Sequence, residues 1–90
     1  MYAVAVAVKV EPGREAEARG MLESTIVPQV KQNPGFVSGT WMQAPEGMGY
    51  SIVVFDTKEH AEASSKTVEA QPDAPVSIMN VAVYEVVAQA

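Results

Sequence analysis

Tyr2-Ala3-Val4-Ala5-Val6-Ala7-Val8-Lys9-Val10 is the stretch on which the fold turns. Its alternation is strict, with Tyr2, Val4, Val6, Val8 and Val10 on one side and Ala3, Ala5, Ala7 and Lys9 on the other. A period of two is the mark of a β-strand. Both sides stay apolar as far as Lys9, so the strand is expected in the centre of a sheet and covered on both faces. The two sides differ in bulk, one built of valine and the other of methyl groups.

Outward from this strand the chain writes one pattern twice. Glu11-Pro12-Gly13-Arg14 opens a helix, and Phe36 to Gln43 returns as a strand. Tyr50 to Phe55 is then a second nearly continuous apolar strand, Asp56-Thr57-Lys58-Glu59 opens a second helix, and Val76 to Val87 closes the chain as a long strand. Both helices carry Ala-Glu-Ala early, at 16–18 and 61–63. In the first, Ala18, Met21, Leu22, Thr25, Ile26, Gln29 and Val30 recur at steps of three and four, an apolar stripe broken by little. Pro28 lacks the amide that would bond back to Ser24, so a kink or break is expected near Val27, with a short turn continuing to Gln32. Asn33-Pro34-Gly35 ends that helix, and Pro45-Glu46-Gly47-Met48-Gly49 has the length of a hairpin turn. Asp56 or Thr57 is the expected N-cap of the second helix, which should run to about Ala70.

Strand–helix–strand twice, joined by a hairpin, gives an α+β fold of the ferredoxin-like β-α-β-β-α-β kind. Right-handed crossovers put the first and third strands in the centre and both helices on one face. The other face is left open, and the expected lining of Ala3, Ala5, Ala7, Trp41 and Phe55 is apolar enough to call for a partner.

Composition agrees. Ninety residues make one domain, 1–90, that buries only roughly 60–65% of its unfolded surface. Hydrophobic residues are 48% of the chain, charged residues 19%, and cysteine is absent, so disulfides and thiolate metal sites cannot supplement the core. Association with a second copy remains. A net charge of −5 with six dispersed Lys and Arg argues against nucleic acid. The N-terminal apolar run ends at Lys9, well short of the roughly 20 residues a membrane span needs, and has neither a basic leader nor a cleavage site. A cytoplasmic protein without membrane contact is expected.

Lys9-Val10-Glu11-Pro12-Gly13-Arg14-Glu15, then Asn33-Pro34-Gly35-Phe36-Val37-Ser38-Gly39, then Val54-Phe55-Asp56-Thr57 together resemble the dimeric α+β barrel family. The most similar group is the antibiotic-biosynthesis-monooxygenase-like (ABM-like) domain, over essentially the whole chain. The resemblance implies a homodimer whose open sheet faces close against each other around a pocket. The family includes cofactor-free monooxygenases of aromatic or quinol substrates, haem-degrading enzymes and proteins of no assigned activity. Haem degradation is set aside. Phe55 stands where that branch has a Trp against the haem, Ser65 where it has the proximal His, and the first strand has no Asn.

Candidate site residues follow from parity and from the resemblance. If Phe36 anchors its strand under the first helix, Val37, Gly39, Trp41 and Gln43 fall on the open face. There the only Trp can stack on a planar ligand and donate its indole N–H, or pack across a dimer interface. The family alignment adds Ser51, Val53 and Phe55 to that face, with plain packing the simpler role for Phe55. On the last strand, Ile78, Asn80, Ala82 and Tyr84 form the stripe assigned to the open face, with Asn80 and Tyr84 its polar handles. Ala3, Ala5 and Ala7 leave room for a cavity, or else let two sheets approach closely. The substrate-binding set is therefore Trp41, Phe55, Ser51, Asn80, Tyr84, Ala5 and Gly39, with no catalytic residue assigned. His60, the only histidine, is expected as an exposed first-turn residue on the far side.

No metal-ligand spacing, nucleophile–base pair, paired catalytic carboxylates or phosphate loop occurs, so no cofactor is implied. Two functions are expected to compete. One is a cofactor-independent monooxygenase-like enzyme acting on a small planar aromatic or quinol substrate in a dimer-barrel pocket. The other is a non-catalytic small-molecule-binding or structural dimeric barrel.

Overall fold

A computed structural model describes residues 1–70 and 72–90. The chain is α+β, with an open four-stranded antiparallel sheet. Its strands are β1 (Tyr2–Val10), β2 (Phe36–Gln43), β3 (Met48–Phe55) and β4 (Val76–Glu85). Their order across the sheet is β2-β3-β1-β4, so the two strands with two-sided apolar sequences are central. The helical segments are α1 (Glu15–Met21), a π-turn (Leu22–Ile26), α2 (Val27–Lys31) and α3 (Lys58–Ser65).

Pro28 does not break the first helix. Backbone angles stay helical from Met21 to Val27, and the Val27 amide bonds to the Leu22 carbonyl, one residue beyond the usual α spacing. A proline cannot supply its own bond, and a single wide turn just before it keeps the helix continuous. α3 starts where Thr57 caps it, the Thr57 hydroxyl accepting from the His60 amide at 3.2 Å. It ends at Ser65 rather than near Ala70. There Ser65 Oγ donates to the Glu62 carbonyl and Thr67 Oγ1 to the Ser64 carbonyl, side chains competing for the groups that would carry the helix onward. The final strand likewise stops at Glu85, before Val87.

The core lies between the helices and one face of the sheet. Val4, Val53, Phe55 and Ala61 form its centre, and Phe55 and Ala61 are fully buried. Tyr2, Val6, Val30, Phe36, Trp41, Val81 and Val83 pack around them. Phe36 meets Phe55 edge to face, with ring centroids 6.5 Å apart. The first helical stretch reaches this cluster through Val30, while Ile26 stays 37% exposed.

Register decides the faces, because residues directly opposite on neighbouring strands share one. Val4 pairs with Val53 and Val83, and Tyr2 with Phe55, so the valine side of β1 is the helix-covered side. Two irregularities shift parity. Phe36 opposes Phe55 and Ser38 opposes Val54, leaving Val37 as an extra residue in β2. Ala7 opposes Asn80 and Val8 opposes Ile78, leaving Met79 extra in β4. Each is a bulge that sends the rest of its strand to the opposite face from a plain alternation.

The expected lining is corrected accordingly. Trp41 opposes Ser51, Gly39 opposes Val53, and Phe55 opposes Tyr2, so Trp41, Ser51, Gly39, Val53 and Phe55 all lie on the helix-covered face. Across the bulge in β2, Phe36 and Trp41 share a side although they stand an odd five positions apart. In β3 both sides are apolar, so nothing local sets its facing, and pairing with β1 does. The Trp41 indole lies over Gly39, where an added Cβ would sit 2.6 Å from Cη2. Glycine there makes room for the ring.

Candidate functional site

The face away from the helices carries the candidate site. Three cross-strand rows build it: Ser38–Val54–Ala3–Tyr84, Thr40–Ile52–Ala5–Ala82 and Met42–Tyr50–Ala7–Asn80. A fourth, Met48–Lys9–Ser77, ends it with a charge. Alanines 3, 5 and 7, with Ala82 beside them, form a shallow trough along the sheet. Tyr50 and Ile52 rise on the β3 side, Asn80 and Tyr84 on the β4 side. Tyr50 is 43% exposed, Ile52 44%, Met42 45% and Tyr84 57%, because no helix among the described residues covers them. Ala3 and Val54 are buried within their row.

Of the residues singled out from sequence, Ala5, Asn80 and Tyr84 come together on this face. Trp41, Phe55, Ser51 and Gly39 do not. Ile78 is also turned away, because it precedes the β4 bulge. Sequence reasoning passed over Thr40, Met42, Tyr50 and Ile52. Their signal was available in the antiparallel pairing of β3 with the alanine side of β1, had the register been known.

The three rows hold no carboxylate, imidazole or ammonium. Their polar groups are the hydroxyls of Ser38, Thr40, Tyr50 and Tyr84 and the Asn80 amide. Such a surface can stack on a ring and hydrogen-bond its substituents. It offers no ordinary general base near neutral pH. Among the described residues no group of His and carboxylates is placed to hold a metal ion.

Charge chemistry sits elsewhere. Arg14 donates to Glu11 at 3.0 Å and to Glu17 at 2.7 Å, and also reaches the backbone carbonyls of Asp73 and Ala74. That guanidinium ties the start of α1 to the segment before β4, and its hydrogen bond holds the Glu17 carboxyl below its ordinary range. His60 is an exposed first-turn residue, as expected, its side chain 41% accessible, and its Nδ1 lies 2.7 Å from Asp56 Oδ1. The hydrogen bond to His60 holds the Asp56 carboxyl below its ordinary range. Among the described residues no helix is long and apolar enough to cross a membrane.

No family model matches the chain, and neither a curated protein nor a solved structure matches it.

Proposed function

We propose that the chain works as a homodimer in which two open sheet faces close on each other, completing a ferredoxin-like, dimeric α+β barrel that holds a small planar organic molecule between them. The observation that carries this reading is the trough of Ala3, Ala5 and Ala7, flanked by exposed Tyr50, Ile52 and Tyr84.

Size supports it. Four strands about 4.8 Å apart, each about eight residues long at about 3.3 Å per residue, span roughly 19 by 26 Å. A projected area of about 500 Å², roughened by side chains, approaches the roughly 800 Å² per partner of a standard interface. Chemistry supports it too, since the rows lack charge and Lys9 lies at the end, an apolar centre with a polar rim. Stacked sheets sit about 10 Å apart, a gap two facing layers of larger side chains would fill. Alanines facing each other leave a slot suited to an aromatic ring, with Asn80, Tyr50 and Tyr84 as hydrogen-bonders at its sides.

A catalytic form of this reading is cofactor-independent oxygenation of a planar aromatic or quinol. Asn80 and Tyr84 beside the trough favour it, because they can hold and polarise the substrate's oxygen substituents. The substrate would supply the electrons, one atom of dioxygen entering the product and the other leaving as water with two substrate hydrogens. The protein's part would be orientation and exclusion of water.

Two measurements test the reading. Sedimentation equilibrium at micromolar concentration should give twice the chain mass, and a folded monomer overturns the barrel. Calorimetry and oxygen uptake with a panel of hydroquinones and anthrones then separate the functions. Binding with turnover supports the oxygenase, binding alone the carrier, and neither leaves a solid structural dimer.

A further inference from the structure

We propose a second small-ligand pocket, on the helix side of the molecule, that takes a single aromatic ring bearing an acidic hydroxyl, the phenol class, with His60 accepting the hydroxyl proton in a hydrogen bond. His60, Ala63, Ser64 and Thr67 line one wall of a depression of about 160 Å³, and Asn33 and Pro34 line the other. The first four are spaced three and four apart, so they share one face of the α3 turn and its continuation. A cavity of about 150 Å³ is enough for benzene, so the volume admits one ring.

The contact with Asp56 sets the tautomer of the imidazole. Asp56, ionised at neutral pH, is an acceptor only, so His60 Nδ1 at 2.7 Å must carry the hydrogen between them. In the neutral ring Nε2 then holds the lone pair and is the nitrogen left for a ligand. The dyad is locked from behind. Asp56 N–H donates to the Gly35 carbonyl at 2.9 Å, and Gly35, at φ +79°, lies so close that any Cβ there would run into Asp56 Oδ1 and His60 Nδ1. Across the pocket Asn33 Nδ2 donates to Ser64 Oγ at 3.2 Å, which leaves the Ser64 hydroxyl hydrogen to donate to the ligand's oxygen. Pro34 and Ala63 supply apolar contact for the ring. A base whose tautomer is set by Asp56 and a serine hydroxyl thus border a ring-sized, mostly apolar hollow, independently of the open sheet face.

The single histidine makes the test local, because its ring protons are unique in a proton–carbon NMR spectrum. Titrated with phenol, the His60 ring signals should shift saturably, with Kd on the order of 1 mM for so small a ligand. Anisole, which has the ring but no donor, should bind roughly three- to tenfold more weakly, the worth of one hydrogen bond. Ala63→Phe, at an exposed position, should fill the hollow and abolish the shift, and Thr67→Leu should weaken it if Ala63→Phe fails to fold. His60→Ala, followed by calorimetry, should erase the preference for phenol over anisole. Ring signals that do not move, equal binding of phenol and anisole, or a shift surviving the filled pocket in a folded protein would each overturn the proposal.

Discussion

The two faces of this one sheet both carry large apolar side chains and meet opposite fates. On one, Val4, Val53 and Phe55 are covered by Ala61 of α3 and by Val30 of α2. On the other, Ile52, Tyr50, Met42 and Tyr84 remain about half exposed. Beyond the polar groups of the open face, the difference is where the cover comes from. A chain of 90 residues has helices for one face only, and an apolar second face must find its partner outside the chain or remain a liability. Bulk tells the faces apart along β1, with valine where the chain supplies the cover and alanine where it does not.

The largest expected effect breaks the covered face. Phe55→Ala removes a fully buried ring that touches Phe36, and should cost about 3–5 kcal/mol, much of the stability of so small a chain. Denaturant unfolding followed by circular dichroism measures it, and a loss below about 1 kcal/mol would contradict the core described here.

Next in size is the matching insult to the open face. Ala5→Glu should leave the isolated fold standing but place an unpaired charge in the proposed interface, at an association cost of order 3 kcal/mol or more. Sedimentation velocity should then show a folded monomer. A dimer unchanged by the substitution would mean that copies meet elsewhere.

A pair of aromatic substitutions sharpens the contrast. Trp41→Ala should lower stability by about 2–3 kcal/mol, since the indole packs against the core over Gly39, with little effect on ligand affinity at the open face. Tyr84→Phe should do the reverse, leaving stability within about 0.5 kcal/mol while weakening a bound quinol several-fold. If Trp41→Ala abolished binding without destabilising the chain, the assignment of faces would fail.

The smallest effect concerns acid. Asp56 and Glu17 are held below the ordinary carboxylate range by hydrogen bonds to His60 and Arg14. A carboxyl depressed in the folded state contributes stability that is complete above its unfolded value, near pH 4, and is lost as pH falls through the folded value. Both pairs are solvent-exposed, so screening keeps the contribution slight. Thermal melts from pH 6 to pH 2 should show a shallow decline, flatter in Asp56→Asn. A melting temperature rising as pH falls would reverse the sign and refute this account.

Legibility from sequence followed how local each signal was. Strand and helix order, the Thr57 cap and the central position of β1 and β3 came from alternation and turn chemistry within a few residues. The open-face placement of Ala5, Asn80 and Tyr84 also followed from alternation, in β4 because the bulge lies before Asn80 rather than after it. Trp41 was misplaced by a single extra residue, Val37, which leaves no mark in composition or hydropathy. The Asp56–His60 pair had a legible signal in its spacing of four residues at a helix start. The loop at Gly35 that completes the pocket is brought there only by the sheet.

Sequence alone therefore determined the types and order of the elements and the split of β1 into a bulky and a slender side, because periodicity and caps are properties of neighbouring residues. Tertiary structure decided which side chains of β2 and β3 join either side. Facing is inherited across strands through hydrogen-bond register, and one bulge reverses it for every residue that follows.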